Sequence, residues 1–533
     1  MNKFSKFLIC FICYNLCIAG VQAQLTSDVP LGIDEMSNFV NVNRDKQNIN
    51  DDLIKFITLD GFSKNQDSLK NVSLNITPYA KYFISGDKKF SQANITSAYS
   101  DYLESVICAK NNDFYSMLLA YKLANIGFFT LSQQALNQIF DKDLYIRQIN
   151  SLKHVFFSEV ALSYDEEIYL AELYADIYYN NLSKESAKEL GKNISLLKKS
   201  DYANYVMAQA YYESAEYSKA LQYINKALDI KIDSPIYLQY KAKILCDMGD
   251  YKQSLKIIDN LLLVDNIYKF QHSLKMQREF VLSNFYKNES KSKLHLAKYF
   301  YLLGEYNRAL KEVNNSISLD KRNHEAYVLL GNINYLLGDY NKAKDTYNKS
   351  LELSKKNALA YIGLANIEKD VSLELALDFY KSAYKYDKNN SLILTEIAYL
   401  LNKIGNTDEA NSIFDRLLAN DYTSSNLYYV MSKVYKEKQV EYLRKSLEVD
   451  VFNVDAWIDL AEVNIKDGNI SEAEKNLIPV SSINSENFKY YYVFGLIEKA
   501  RNNVSIAAAL FKQALKMNPN YLPAQLELNT LNL

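Results

Sequence analysis

The 533-residue chain predicts an all-α fold, a solenoid of antiparallel helix pairs. Three observations carry that expectation. Near-identical turns recur in pairs at one constant offset: Ala215-Glu216-Tyr217 with Gly249-Asp250-Tyr251, and Gly304-Glu305-Tyr306 with Gly338-Asp339-Tyr340. Small residues recur in step before and after each turn. Only 6 Pro and 14 Gly are present, too few for the many turns of a sandwich or barrel. A fixed period near 34 means that one helix-turn-helix unit has been copied many times. Such units work through a surface, with no single deep active site.

The elements follow in order. Residues 1–23 have the parts of a secretory leader: Lys3 and Lys6, an apolar stretch from Phe7 to Ala19, and a small-x-small cleavage site at Val21-Gln22-Ala23. That stretch is short for a hydrocarbon core of ~30 Å. The expectation is an exported chain, periplasmic or extracellular after cleavage, with no transmembrane span. Cys10, Cys13 and Cys17 leave with the leader, and Cys108 and Cys246 read as buried thiols in apolar helices. Residues 24–77 form a weakly patterned segment with one short helix near 51–58. Residues 78–167 read as degenerate helical hairpins capping the array, with helical periodicity in 78–85, 91–110, 113–127, 131–140 and 143–158.

The copies become readable at 168–268 and again at 290–521, together well over half of the chain. Each first helix carries a small inner residue, such as Ala208, Ala242, Ala297, Gly331 or Gly495. The second helices answer with another, such as Ala220, Ser254, Ala309, Ala343 or Ala507, with Gln439 the one exception in size. Helix axes that approach to roughly 8–10 Å need short side chains at the crossing. Gly249, Gly304, Gly338, Gly405 and Gly468 share one slot, seven residues after the inner small residue, where a helix ends in a left-handed residue. Asp250, Glu305, Asp339 and Asn469 then face the positive end of the next helix. Residues 269–289 are an insertion with a helical run, either an extra-long helix or a decayed repeat. The unit at 425–453 is short and needs a tighter turn. Residues 522–533 read as a terminal capping helix, with Pro523 in its first turn.

This arrangement resembles the tetratricopeptide repeat family. The matching residues are the aromatics at the fourth position (Tyr327, Tyr361, Tyr428, Trp457, Tyr491), Leu-Gly or Leu-Ala at seven and eight, Ala at twenty and Pro near the end. The resemblance implies a right-handed superhelix whose first helices line a concave face. Its inward positions, carried over residue by residue, are Tyr205, Gln209, Tyr212, Lys243, Lys298, Tyr301, Asn332, Tyr335, Asn366, Lys369, Tyr399, Tyr429, Lys433 and Tyr492. Tyr offers wide contact at low rotamer cost, and Asn can read a peptide backbone. The 45 Tyr also fit a coding bias, which would put tyrosine on any solvated face. Lys298, Asn332 and Asn366 stand where some members hold a carboxylate clamp, but Glu325 and Leu359 occupy places where more positive charge is expected.

The implied partner is a protein or peptide. A formal charge of −2 lacks the basic footprint of a nucleic-acid binder. No nucleophile elbow, phosphate-cradling loop or paired-histidine zinc motif occurs, and His154, His272, His295 and His324 are isolated. No cofactor and no metal are expected. The first functional expectation is an exported, non-enzymatic interaction scaffold. The alternatives are a subunit or assembly factor of a bacterial envelope or secretion machine, peripherally associated with it, and an enzyme with an unrecognised site in 24–167.

Overall fold

A computed structural model describes residues 78–156, 162–179, 200–263, 271–420, 423–483 and 487–531. The leader, the 24–77 segment and the second helix of the copy at 168–200 lie outside the described residues. The chain divides into two compact units, one holding the described residues of 78–263 with 457–531, the other 271–456. Among the described residues there are helices and no strands. No helix is long and apolar enough to cross a membrane.

The first unit runs α1 (Pro78–Ser91), α2 (Ile95–Cys108), α3 (Asp113–Asn125), α4 (Phe129–Asn137), α5 (Ile146–Phe156), α6 (Tyr164–Tyr179), α7 (Asp201–Glu213), α8 (Tyr217–Ile230), α9 (Pro235–Asp247) and α10 (Tyr251–Leu262). The second holds α11 (Gln271–Phe285), α12 (Glu289–Leu302), α13 (Tyr306–Leu319), α14 (His324–Leu336), α15 (Tyr340–Leu353), α16 (Ala358–Glu368), α17 (Leu373–Tyr386), α18 (Ser391–Ile404), α19 (Thr407–Ala419), α20 (Ser425–Val434) and α21 (Gln439–Val449). A 3₁₀ turn, Lys436–Lys438, joins α20 to α21, the tighter connection that the short copy needed. Then come α22 (Val454–Lys466), α23 (Ile470–Ile483), α24 (Phe488–Ala500), α25 (Val504–Met517) and α26 (Leu522–Thr530), most of them in the first unit.

Neighbouring helices pair and run antiparallel. At the start of α12, Ser290 Oγ donates to the Ser316 carbonyl near the end of α13 at 2.9 Å. The small residues meet at the crossings: Ala208, Ala220, Ala242, Ser254, Ala297, Ala309, Ala365 and Ala376 are all fully buried. The left-handed slot holds as well, with φ between 72 and 96 at its five glycines. Where the sequence offers no glycine, Ala215 (φ 59) and Asn502 (φ 63) take the same conformation.

The hairpins of 78–137 are built like the readable copies, although their sequence obscures it. Gly86 and Ala120 stand one full period apart. Seven residues beyond each, Ala93 (φ 56) and Gly127 (φ 94) are left-handed. Five further on, Ala98 and Ser132 are buried. Ser132 Oγ donates to the Ala120 carbonyl at 2.7 Å, as Ser254 Oγ does to the Ala242 carbonyl at 2.7 Å. In the second unit, the insertion resolves into α11, which packs on α12. Its last residue, Phe285, stands one full period before Leu319, the last of α13, so α11 ends in the phase of a second helix.

Candidate docking face

Within the second unit the first helices touch in series, α12 to α14, α14 to α16, and α18 to α20. They form one face, and its most specific feature is a pair of oriented amides. Asn332 on α14 accepts at Oδ1 from the Tyr347 hydroxyl of α15 at 2.7 Å. Asn366 on α16, one repeat later, accepts at Oδ1 from the Tyr380 hydroxyl of α17 at 2.5 Å. Each bond turns the amide oxygen toward the second helix and the Nδ2 donors away from it. Both asparagines are half-buried, and neither Nδ2 has a partner among the described residues.

The tyrosine that holds Asn332 cannot drift. Its ring is buried between Gly331 and Gly363, and a Cβ at Gly331 would lie 2.5 Å from it. Burial pushes the Tyr347 phenol well above its ordinary pKa, so the hydroxyl remains a donor. The sequence pattern singled out the asparagines but not the tyrosine hydroxyl bonds that orient them. The available signal was a tyrosine set at nearly the same offset beyond each asparagine, Tyr347 after Asn332 and Tyr380 after Asn366.

The lysines of this face are occupied. Lys298 pairs with Glu325 of the next first helix at 3.1 Å and lowers that carboxyl's pKa. Lys369 pairs with Glu396 at 2.6 Å. These bridges tie one repeat to the next and leave little charge for an acidic ligand. Lys369 also lies 5.8 Å from the ring centre of Tyr399, and Lys433 lies 4.9 Å from that of Tyr429. Tyr335 is edge-on to Tyr340 at 5.0 Å. A carboxylate clamp from Lys298, Asn332 and Asn366 is therefore poorly served, because its one cation is already paired with Glu325.

Three residues expected on the inward face are core instead: Tyr205 (1% exposed), Gln209 (0%) and Tyr301 (8%). In the first unit α7 is buried along 201–211. Tyr205 packs against Tyr237 and Tyr240 of α9, with ring centres 5.0 and 5.4 Å apart, so large side chains close the space a groove would need. Tyr301 is turned edge-on to Tyr306 of its own repeat at 6.0 Å. Tyr212 keeps partial exposure, bonds its hydroxyl to Asp247, and lies 4.1 Å under the Lys243 ammonium. Tyr492 is half-buried, edge-on to Tyr521 at 5.3 Å.

The two histidines whose side chains are described make local structural contacts. His295 Nδ1 lies 2.6 Å from Glu279 on α11, with its ring stacked on Tyr286, and His324 Nδ1 lies 3.2 Å from Asn357 Nδ2. The side chains of His154 and His272 lie outside the described ones. Among the described residues no group of His, Cys, Asp and Glu could hold a metal ion.

Residues 324–357 match the family model described as tetratricopeptide repeat, so that segment, α14 with α15, is one. Repeats of this kind form scaffolds for protein–protein interaction, usually without catalysis. No curated protein matches the chain. Among solved structures, the APC/C hetero-tetramer Cut9–Hcn1 shares 12% identity, covering 87% of this chain and 98% of that one, with a TM-score of 0.35. PilF of Pseudomonas aeruginosa shares 14%, covering 45% and 97%, TM-score 0.28. YrrB, a tetratricopeptide repeat protein with an unusual peptide-binding site, shares 18%, covering 40% and 96%, TM-score 0.21. Superpositions this loose carry no functional argument.

Proposed function

We propose that the chain is an exported, non-enzymatic scaffold that holds an extended segment of a protein partner along the first helices of residues 290–453. The leader-like residues 1–23 support export, and the oriented amides of Asn332 and Asn366 support the mode of binding. Two donors one repeat apart, each locked by a buried or nearly buried tyrosine, suit the carbonyl oxygens of an extended backbone. Pre-orientation matters because an amide already fixed loses little freedom on binding. The paired lysines argue for recognition by backbone and aromatic contact in preference to an acidic motif.

The test replaces both amides by carboxylates, Asn332→Asp with Asn366→Asp. Each variant keeps the oxygen that the tyrosine needs and removes the donors. In-cell cross-linking followed by capture of the mature chain is expected to yield one dominant protein, retained about tenfold less well by the double variant, given ~0.5–1.5 kcal/mol for each lost bond. Equal retention would contradict the proposed face. Co-purification with a multi-subunit envelope complex would instead place the chain as a subunit of that machine.

A further inference from the structure

The loops that join one repeat to the next carry a pattern that the docking face does not use. Each second helix of the second unit's first half ends in an exposed apolar residue: Phe285 (44% exposed), Leu319 (50%), Leu353 (38%) and Tyr386 (37%). The first three recur at the full repeat period, and Tyr386 falls a single position early. Two residues after each stands an exposed lysine, Lys287, Lys321, Lys355 or Lys388, and Arg322 and Lys356 add a second cation to the middle two loops. Because the repeats stack in register, all four loops lie on one edge of this unit.

Helix electrostatics do not explain these cations. Each directly precedes a helix whose N-cap is an asparagine, Asn288, Asn323, Asn357 or Asn390. That end of a helix is positive and disfavours added positive charge. Nor do ion pairs explain them, since none of the six has an ionic partner among the described residues. The opposite edge, where the two helices of one repeat join, behaves differently: its Arg308 and Lys342 are paired with Glu305 and Asp339. Glu289, Asp320, Glu352 and Asp387 are the acids of the basic edge, and Glu352 is held by Lys349 at 2.6 Å.

We infer that this edge docks the protein on an anionic lipid surface. A row of loop tips, each offering one apolar side chain beside unpaired cations, matches an interface where apolar groups enter the headgroup layer and long basic side chains stay at the phosphates. The contact is peripheral and lies apart from the Asn332 and Asn366 amides, so the two surfaces could be occupied together.

The experiment measures sedimentation of the full mature chain with phosphatidylcholine vesicles, with and without phosphatidylglycerol. Binding is expected only with the anionic lipid and is expected to fall away between about 0.1 M and 1 M salt, as screening dictates. Each basic side chain near such a surface contributes roughly a fivefold factor. The exposed triple variant Lys321→Glu, Lys355→Glu, Lys356→Glu should therefore lower partitioning by more than about tenfold. Leu319→Ser with Leu353→Ser should lower it as well. Asn332→Asp with Asn366→Asp should leave it unchanged, which separates this inference from the docking face. Should the charge variant fail to fold, the salt dependence of the unaltered chain still decides. Equal binding to neutral vesicles, no binding to either, or retention by an acidic protein in place of lipid would overturn the inference.

Discussion

Ala215 holds a left-handed backbone, φ 59, at a slot that glycine fills in six other repeats among the described residues. An alanine there bears strain that glycine does not. Ala215→Gly is expected to stabilise the chain by about 0.5–1 kcal/mol, read from the midpoint of urea unfolding. Gly495→Ala should act in the opposite sense, because its Cβ would sit 2.5 Å from the Phe511 ring inside a buried crossing. A cost of about 1–3 kcal/mol follows from overpacking. Cys246 offers a chemical check. Burial pushes its thiol up to about 12, so the reactive thiolate is scarce near neutral pH and grows as pH rises toward that value. Maleimide at pH 8 should label the partly exposed Cys108 first and reach Cys246 only on unfolding. Comparable labelling of both in the native state would contradict the packing.

The helix pair gains part of its definition from a polar clasp that the sequence pattern did not reveal. Ser316 Oγ donates to the Ser290 carbonyl at 2.8 Å, and Asn323 Nδ2 donates to Ser316 Oγ at 3.3 Å. Ser446, Ser425 and Asn453 repeat the arrangement, and Ser350 and Asn357 do so against the His324 carbonyl. Ser316 is fully buried. Ser316→Ala should cost about 1–3 kcal/mol, since it leaves buried polar partners unmet, while exposed Ser318→Ala should be close to neutral. Thermal melts of the two variants compare them directly.

Small residues and left-handed turns were legible in the sequence because backbone approach and φ restrict residue choice sharply. The hairpins of 78–137 read only as degenerate ones because their slots hold residues of less diagnostic type, Ala93 and Ser132 among them, in the same geometry. The burial of Tyr205 and Tyr301 was illegible for another reason. A tyrosine at an inward position can face a groove or fill it, and only the neighbouring first helix decides. The Asn332–Tyr347 and Asn366–Tyr380 bonds join residues on different helices, a relation that a one-dimensional pattern shows only as a spacing.

At the scale of the whole molecule, each unit is a stack in which every hairpin leans on its neighbours. Ion pairs such as Lys298–Glu325 and Lys369–Glu396 link successive first helices, and buried small residues set how closely each pair packs. The proposed recognition lies on the first helices of the second unit, with the second helices as their support. Hydrogen–deuterium exchange of the mature chain, alone and with its captured partner, tests that claim most directly. Added protection is expected along His324–Leu336 and Ala358–Glu368. Protection confined to Tyr340–Leu353 and Leu373–Tyr386, with the first helices unchanged, would contradict it.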